Sequence, residues 1–225
     1  MRALGNESQG PSSEPSPEPV ALGSREVTEL LDWKRSIFRL YEQVRAQSDP
    51  YAAWSRWKAT RADLFANHPQ SPIPPSKRIG WDGPLLFDYD PAKRVLGTIA
   101  DTTPEHYEIT TSGQGSTAFT RFATVSFKLD DQLLSLELYW LDGYGGGLFL
   151  PFRDASSGKE TYGAGRYLLD TVKGCDLGMQ DGKLVLDFNF AYNPSCYYDP
   201  RWVCPLATPA NRLDVDISAG ERVTD

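Results

Sequence analysis

Histidine and cysteine are scarce in this sequence, which has two histidines and three cysteines among 225 residues. A metal site built mainly from histidine is therefore excluded, and a hydrolytic triad would have to use His68 or His106. Cys196 and Cys204 are separated by more than the two to four residues that usually part the cysteine ligands of structural zinc. We therefore expect no metal and no cofactor. Small buried thiols are the simplest interpretation of the cysteines, and a disulfide between Cys196 and Cys204 is the alternative.

The chain also lacks an excess of positive charge and lacks long apolar runs. Lysine and arginine number 23 against 30 aspartates and glutamates, which gives a net charge of -7. An acidic surface repels phosphate backbones, so we expect neither nucleic acid nor a membrane as a partner. No run approaches the ~20 apolar residues that span a bilayer, and the N-terminus has no apolar signal segment. The cytoplasm is the expected location.

Residues 1–23 are rich in serine, proline, glutamate and glycine. Such a composition cannot bury enough apolar surface to offset the entropy of ordering, so we predict a disordered tail. The remaining residues, 24–225, are predicted to form a single domain. Its length suffices for a sizeable hydrophobic core.

Residues 24–67 have the periodicity of two amphipathic helices. Ser24 is the predicted N-cap of the first, and Asp49 followed by Pro50 is the predicted start of the second. Apolar side chains recur at spacings of three and four residues in both. The stripe of the first helix is Leu30, Trp33, Ile37, Leu40, Tyr41 and Val44, and that of the second is Trp54, Trp57, Arg61, Leu64 and Phe65.

From residue 85 the apolar residues alternate with polar ones, which is typical of half-buried strands. The clearest strands are predicted at 123–129, 134–140, 148–153, 160–169 and 183–192, and weaker ones at 85–89, 94–100, 106–111 and 213–217. Short links can join only antiparallel neighbours. The predicted fold class is therefore α+β, with two N-terminal helices packed on a mainly antiparallel, barrel-like sheet over residues 85–220.

Several long motifs resemble one prokaryotic family. They are GGLFLPFRD at 146–154, GKETYGAGRY at 158–167, LDFN at 186–189, AYNPSC at 191–196, CPL at 204–206 and NRL at 211–213. The helices and HPQSP at 68–72 are similar to the start of the same family, which is catalogued as domain of unknown function 1684. The resemblance covers nearly all of the chain after residue 23. It implies a shared fold but no activity, because the activity of the family is unknown.

The polar residues within these motifs are the candidate ligand-binding residues. They are Arg153, Tyr162, Arg166, Tyr167, Asn189, Tyr192 and Asn193. His68, Cys196 and Cys204 are weaker candidates. The aromatic segment that follows Asn193 could be a binding rim or a plug of the sheet.

Among these candidates, Arg166 gives the most specific prediction. On a continuous strand it shares a face with Tyr162, and a guanidinium on an inner face must meet either an anionic ligand or a buried acid. Gly163 and Gly165 in the same motif indicate either close approach of a ligand or a bend of the backbone.

Three functions are consistent with the sequence. The first is binding of a small anionic or aromatic ligand in a pocket of the barrel. The second is an enzyme, hydrolase-like, that uses the same pocket with His68, a carboxylate or a cysteine as its reactive group. The third is a structural or partner-binding module without a ligand. The sequence does not determine the oligomeric state.

Overall fold

The structure is a computed structural model that describes residues 23–223. The predicted tail lies outside these residues, apart from Gly23. Two long helices come first, α1 (Ser24–Ala46) and α2 (Pro50–Asn67), and a short one, α3 (Ser195–Tyr198), follows the sheet. Of the helices in this described part, none has the length and the apolar composition that crossing a bilayer requires.

The start of α2 is as predicted, whereas the start of α1 is shifted by one residue. Asp49 is the N-cap of α2, and its carboxylate accepts a hydrogen bond from the Tyr51 amide at 3.0 Å. For α1 the N-cap is Gly23, and the Ser24 prediction is wrong. Glu26 reaches back to accept a hydrogen bond from the Gly23 amide at 3.1 Å, so the serine hydroxyl is not needed there.

Seven strands form one antiparallel sheet in the order β5-β4-β3-β2-β1-β7-β6. Their bounds are β1 (Arg94–Thr110), β2 (Ser116–Leu129), β3 (Gln132–Leu141), β4 (Gly147–Phe152), β5 (Arg166–Asp170), β6 (Met179–Gln180) and β7 (Lys183–Asp187). Strands β1 to β5 form a meander, because consecutive strands are neighbours. The chain then crosses to the other side of β1. The α+β prediction is confirmed.

The sheet is open, so the term barrel-like describes only its bend. Strands β5 and β6 are its two edges. Beyond the ladder, the backbones of Tyr167 in β5 and Tyr192 exchange two hydrogen bonds of 2.9 and 3.0 Å. This single bridge draws the β5 edge toward the segment that follows β7.

Several predicted strands differ in length from the observed ones. The two weak strands at 94–100 and 106–111 are one strand, β1, with an irregular register between Asp101 and Glu105. The predicted strand 160–169 begins only at Arg166. Residues 160–165 are turns and irregular backbone, and Gly165 among them has a φ of 98°. Residues 188–190 are a 3-10 helix, whose first turn is capped by the Asp187 side chain. The segments 85–89 and 213–217 make only isolated backbone hydrogen bonds, and neither of them forms a strand.

The two long helices and the sheet share one hydrophobic core. Trp57 of α2 is 1% exposed. Its ring lies 5.3 Å from that of Phe190, and its indole nitrogen donates to the Tyr41 hydroxyl of α1 at 3.1 Å. Because Trp57 contacts both the other helix and the segment after β7, the helix pair is fixed against this side of the sheet.

Candidate functional site

Arg166 is buried and satisfied by the protein itself. Its side chain is 1% exposed and forms an ion pair with Asp154 at 2.5 Å. The guanidinium also donates to the carbonyl oxygens of Ile217 at 3.0 Å, Glu221 at 3.1 Å and Ala219. This arrangement corresponds to the structural ion pair that the sequence left open.

Asp154 is fixed by Ser156 as well as by Arg166. Its second carboxylate oxygen accepts hydrogen bonds from the Ser156 amide at 2.7 Å and from the Ser156 hydroxyl. Asp154 directly follows Arg153 in the motif at 146–154, so the acidic partner of Arg166 lies within a motif that was already identified in the sequence. The turns at 160–165 also remove the shared face of Tyr162 and Arg166 that a continuous strand would have produced.

Gly165 allows a close backbone approach rather than a ligand. A Cβ atom at this position would lie 2.7 Å from the Phe152 carbonyl oxygen and 2.9 Å from Ala207. At Gly163 the nearest atom would be the Gly158 Cα, at 3.4 Å. Gly165 therefore serves a tight turn between β4 and β5, whereas the position of Gly163 has room for a Cβ atom.

Asn189 and His68 have local partners as well. The Asn189 amide accepts from the Asp90 backbone at 2.9 Å and donates to the Asp90 carbonyl and to Asp187, both at 2.8 Å. The His68 ring accepts from the Gln70 amide at 3.0 Å and lies 3.4 Å from Asp32. Arg153 is half-buried, and its main chain binds Asn211 and Leu213, whereas its side-chain Nε atom has no hydrogen-bond partner within residues 23–223.

The structure brings Tyr167, Tyr192 and Asn193 together at a cavity between the helix pair and the sheet. We call this the inner cavity, and it has a volume of about 60 Å³. Trp33, Ile37 and Phe65 form its apolar wall, and Arg61, Lys173, Tyr192 and Asn193 supply its polar groups. The pocket therefore lies on one side of the open sheet, not inside a barrel.

Asn193 lines this cavity, and neither its side-chain nitrogen nor its side-chain oxygen has a hydrogen-bond partner within residues 23–223. Asn193 is 2% exposed and Tyr192 6% exposed. The Tyr192 hydroxyl has the Cys175 thiol as its polar neighbour. A buried unsatisfied polar group costs about 1–3 kcal/mol. The two free atoms of Asn193 need a polar partner, which at this cavity is either water or a ligand.

Arg61 is the fixed cation of the inner cavity. It forms an ion pair with Glu221, and its guanidinium lies 4.2 Å from the Phe65 ring centre and 4.8 Å from that of Tyr192. Glu221 also accepts from the Asn193 backbone amide at 2.7 Å and from the Tyr198 hydroxyl at 2.8 Å. Glu221 thereby positions both the cation and the residue that carries the free amide.

A second depression adjoins the inner cavity and shares Trp33, Lys173 and Ser195 with it. We call it the outer groove, and it has a volume of about 200 Å³. Its lining is mostly apolar, with Lys34 and Lys173 as its cations. The apolar lining consists of Leu30, Trp33, Pro72, Trp202 and Val203. The segment that follows Asn193 is thus a wall of both depressions.

Cys196 and Cys204 lie together beside the outer groove, and both are free thiols. The Tyr162 hydroxyl lies 3.9 Å from the Cys196 sulfur. Burial, followed by the neighbouring Cys196, raises the pKa of Tyr162 to about 12. Within residues 23–223 no group of three or more histidine, cysteine or acidic side chains could hold a metal ion.

Sequence reasoning missed Lys173 and Glu221 and assigned Arg61 to the core only. Arg61 had a visible signal, since it is a charged residue within the apolar stripe of α2. Lys173 and Glu221 had none, because both lie in segments without periodicity and contact the other residues of the site only through tertiary packing.

Comparisons with known proteins bear on the family and the fold of the chain. The sequence model of the family described as "Protein of unknown function (DUF1684)" matches residues 80–222. No curated protein matches the chain. The solution NMR structure of the uncharacterised protein from gene locus rrnAC0354 of Haloarcula marismortui is 35% identical. The match covers 77% of this chain and 94% of that one, with a TM-score of 0.56. The chain belongs to the DUF1684 family of proteins of unknown function.

Proposed function

We propose that the protein binds a small molecule with an anionic head group and an apolar or aromatic body. The head group occupies the inner cavity and the body lies along the outer groove. The observation that carries this proposal is the Asn193 side chain, which is buried and has both a free donor and a free acceptor. A ligand that used these atoms would recover the cost of burying them.

The distribution of charge supports an anionic head group. The chain has a net charge of -7, yet Lys34, Arg61 and Lys173 line the two depressions, and among residues 23–223 no carboxylate does. Arg61 and Lys173 each have an acidic partner, Glu221 and Asp170, but neither acid lines the cavity. The charged side chains that line the inner cavity are therefore both cationic.

The size of the two depressions supports a ligand with two distinct ends. A cavity of about 60 Å³ has room for a few water molecules or one small polar group. The outer groove is about three times larger and is walled by Trp33 and Trp202. Aromatic walls favour flat apolar groups, because they supply contact area at low entropic cost.

A ligand screen with one substitution tests the proposal. Aromatic and aliphatic carboxylates and phosphates are screened by the rise in melting temperature, and binders are measured by calorimetry. Asn193→Ala should keep the parent melting temperature, because the side chain has no partner to lose, and should weaken binding at least about tenfold.

Asn189→Ala is the matched control. It removes an amide that is fully used within the protein, so it should lower stability and leave the ligand affinity of the folded protein unchanged. Lys173→Met should weaken the binding of anions more than that of neutral analogues with the same body. The proposal fails if no anionic compound binds or if Asn193→Ala binds like the parent.

A further inference from the structure

We propose that Cys196 and Cys204 form a dithiol pair that hydrogen peroxide oxidises to an intramolecular disulfide. The Cys196 and Cys204 side chains interact directly with each other, and the Tyr162 hydroxyl lies 3.9 Å from the Cys196 sulfur. Cys196 is half-buried, so a small oxidant can reach it, whereas Cys204 is 5% exposed. The arrangement therefore separates an accessible thiol from a protected one. It goes beyond ligand binding and does not depend on it.

The surroundings of Cys196 favour its thiolate. The Cys204 thiol, the Ser112 hydroxyl and the Tyr162 hydroxyl lie within hydrogen-bonding reach of the Cys196 sulfur. These contacts, that of Cys204 first, lower the pKa of Cys196 although burial opposes the charge. The pKa of Cys204 is raised, first by its contact with Cys196 and then by burial. The pKa of Cys196 is thus the lower of the two, so Cys196 is the first thiol of the pair to ionise.

This order of ionisation matches the two steps of disulfide formation. The Cys196 thiolate attacks one oxygen of hydrogen peroxide, the O–O bond breaks, and the departing hydroxide takes up a proton to become water. The Cys196 sulfenic acid is then attacked by the Cys204 sulfur. The S–O bond breaks, the hydroxyl group leaves as water with the Cys204 proton, and the S–S bond forms. Two thiols are oxidised and one peroxide is reduced.

Cys175 is the internal comparison for this chemistry. It is 6% exposed, and burial raises its pKa to about 11. A protonated and buried thiol is inert toward peroxide. The same chain thus contains a reactive pair and an unreactive cysteine.

The test is the oxidation of the folded full chain by a small excess of hydrogen peroxide. Intact mass and peptide mapping should show a disulfide between Cys196 and Cys204, with Cys175 still reduced. In the Cys204→Ser variant oxidation should stop at a sulfenic acid on Cys196, which dimedone traps. Loss of the Cys196 thiol should be at least about tenfold faster than that of Cys175.

Two variants serve as controls. Cys175→Ser should form the disulfide at the parent rate, and Tyr162→Phe should slow it, since the phenol no longer donates to the Cys196 sulfur. Circular dichroism of each variant separates a loss of reactivity from a loss of fold. The proposal is overturned if Cys196 reacts no faster than Cys175, if the disulfide joins two chains, or if both thiols survive the peroxide treatment.

Discussion

Arg166 binds four oxygen atoms, and three of them are main-chain carbonyls of the segment 217–221. A ligand-binding arginine would present free donors to a cavity. Asn193 provides the contrast, since its side-chain atoms are buried without a partner. For Arg166 and Asn193, the number of unused polar atoms therefore separates a structural residue from a candidate ligand-binding one.

Arg166→Met should destabilise the fold by about 3–5 kcal/mol, because Asp154 would remain buried without its counter-charge. Urea unfolding measures this change. Arg212→Met is the matched control, since Arg212 is exposed and its replacement should change the unfolding free energy by less than about 0.5 kcal/mol. Equal stability of the parent and Arg166→Met would contradict the structural role.

The sequence supplied some of this residue-scale description. The motifs that contain Tyr167, Tyr192 and Asn193 could be identified, and all three line the inner cavity. Which polar side chains have partners could not be predicted, because the partners of Arg166 include carbonyls about fifty residues away in sequence. Contacts of that separation depend on tertiary packing, for which a single sequence has no local signal.

Strands in which apolar and polar residues alternate regularly could be predicted from the sequence. The end of a strand that depends on a side-chain contact could not. Strands β2 and β3 contain the predicted segments 123–129 and 134–140. The predicted strand 183–192 instead ends at Asp187, whose carboxylate accepts from the Asn189 amide at 3.1 Å and starts a 3-10 helix. The apolar pattern continues through Phe188 and Phe190, which are both buried, so the sequence showed no break.

Asp187 should make the stability of this element depend on pH. Burial raises its pKa to about 6, although Asn189 and Arg94 favour its charge. The unfolded carboxyl titrates near pH 4, so the folded state binds the extra proton between about pH 4 and pH 6. The contribution of Asp187 to stability is therefore greatest below that window and is lost as the pH rises through it.

Asp187→Asn removes this dependence while its side-chain oxygen still accepts from Asn189. Relative to the parent, the variant should gain on the order of 2 kcal/mol between pH 4 and pH 7. Urea unfolding of both proteins across this range gives the difference at each pH. Parallel stability curves would show that Asp187 is not protonated in the folded state at pH 5.

At the scale of the whole molecule, Glu221 joins parts of the chain that are distant in sequence. Its side chain binds Arg61 of α2, the Asn193 backbone amide and the Tyr198 hydroxyl of α3. Its backbone amide also donates to the Ala191 carbonyl at 2.8 Å. The relative position of α2 and the wall of the inner cavity therefore depends on this one buried acid.

Glu221→Gln should cost about 3–5 kcal/mol, because Arg61 would be left buried without its counter-charge. Thermal unfolding measures the loss. The exposed Glu160→Gln is the control and should leave the melting temperature unchanged. A melting temperature of Glu221→Gln equal to that of the parent would mean that the ion pair contributes nothing to the fold.

The contacts of residues 217–221 have a consequence for the protein during its synthesis. The ribosome releases the N-terminal helices and most of the sheet before it adds Ile217, Ala219 and Glu221. Until then Arg166 and Arg61 lack most of the oxygen atoms that accompany their burial in the finished fold. The nascent chain must therefore keep both arginines hydrated, and the native core closes only after translation has passed residue 221.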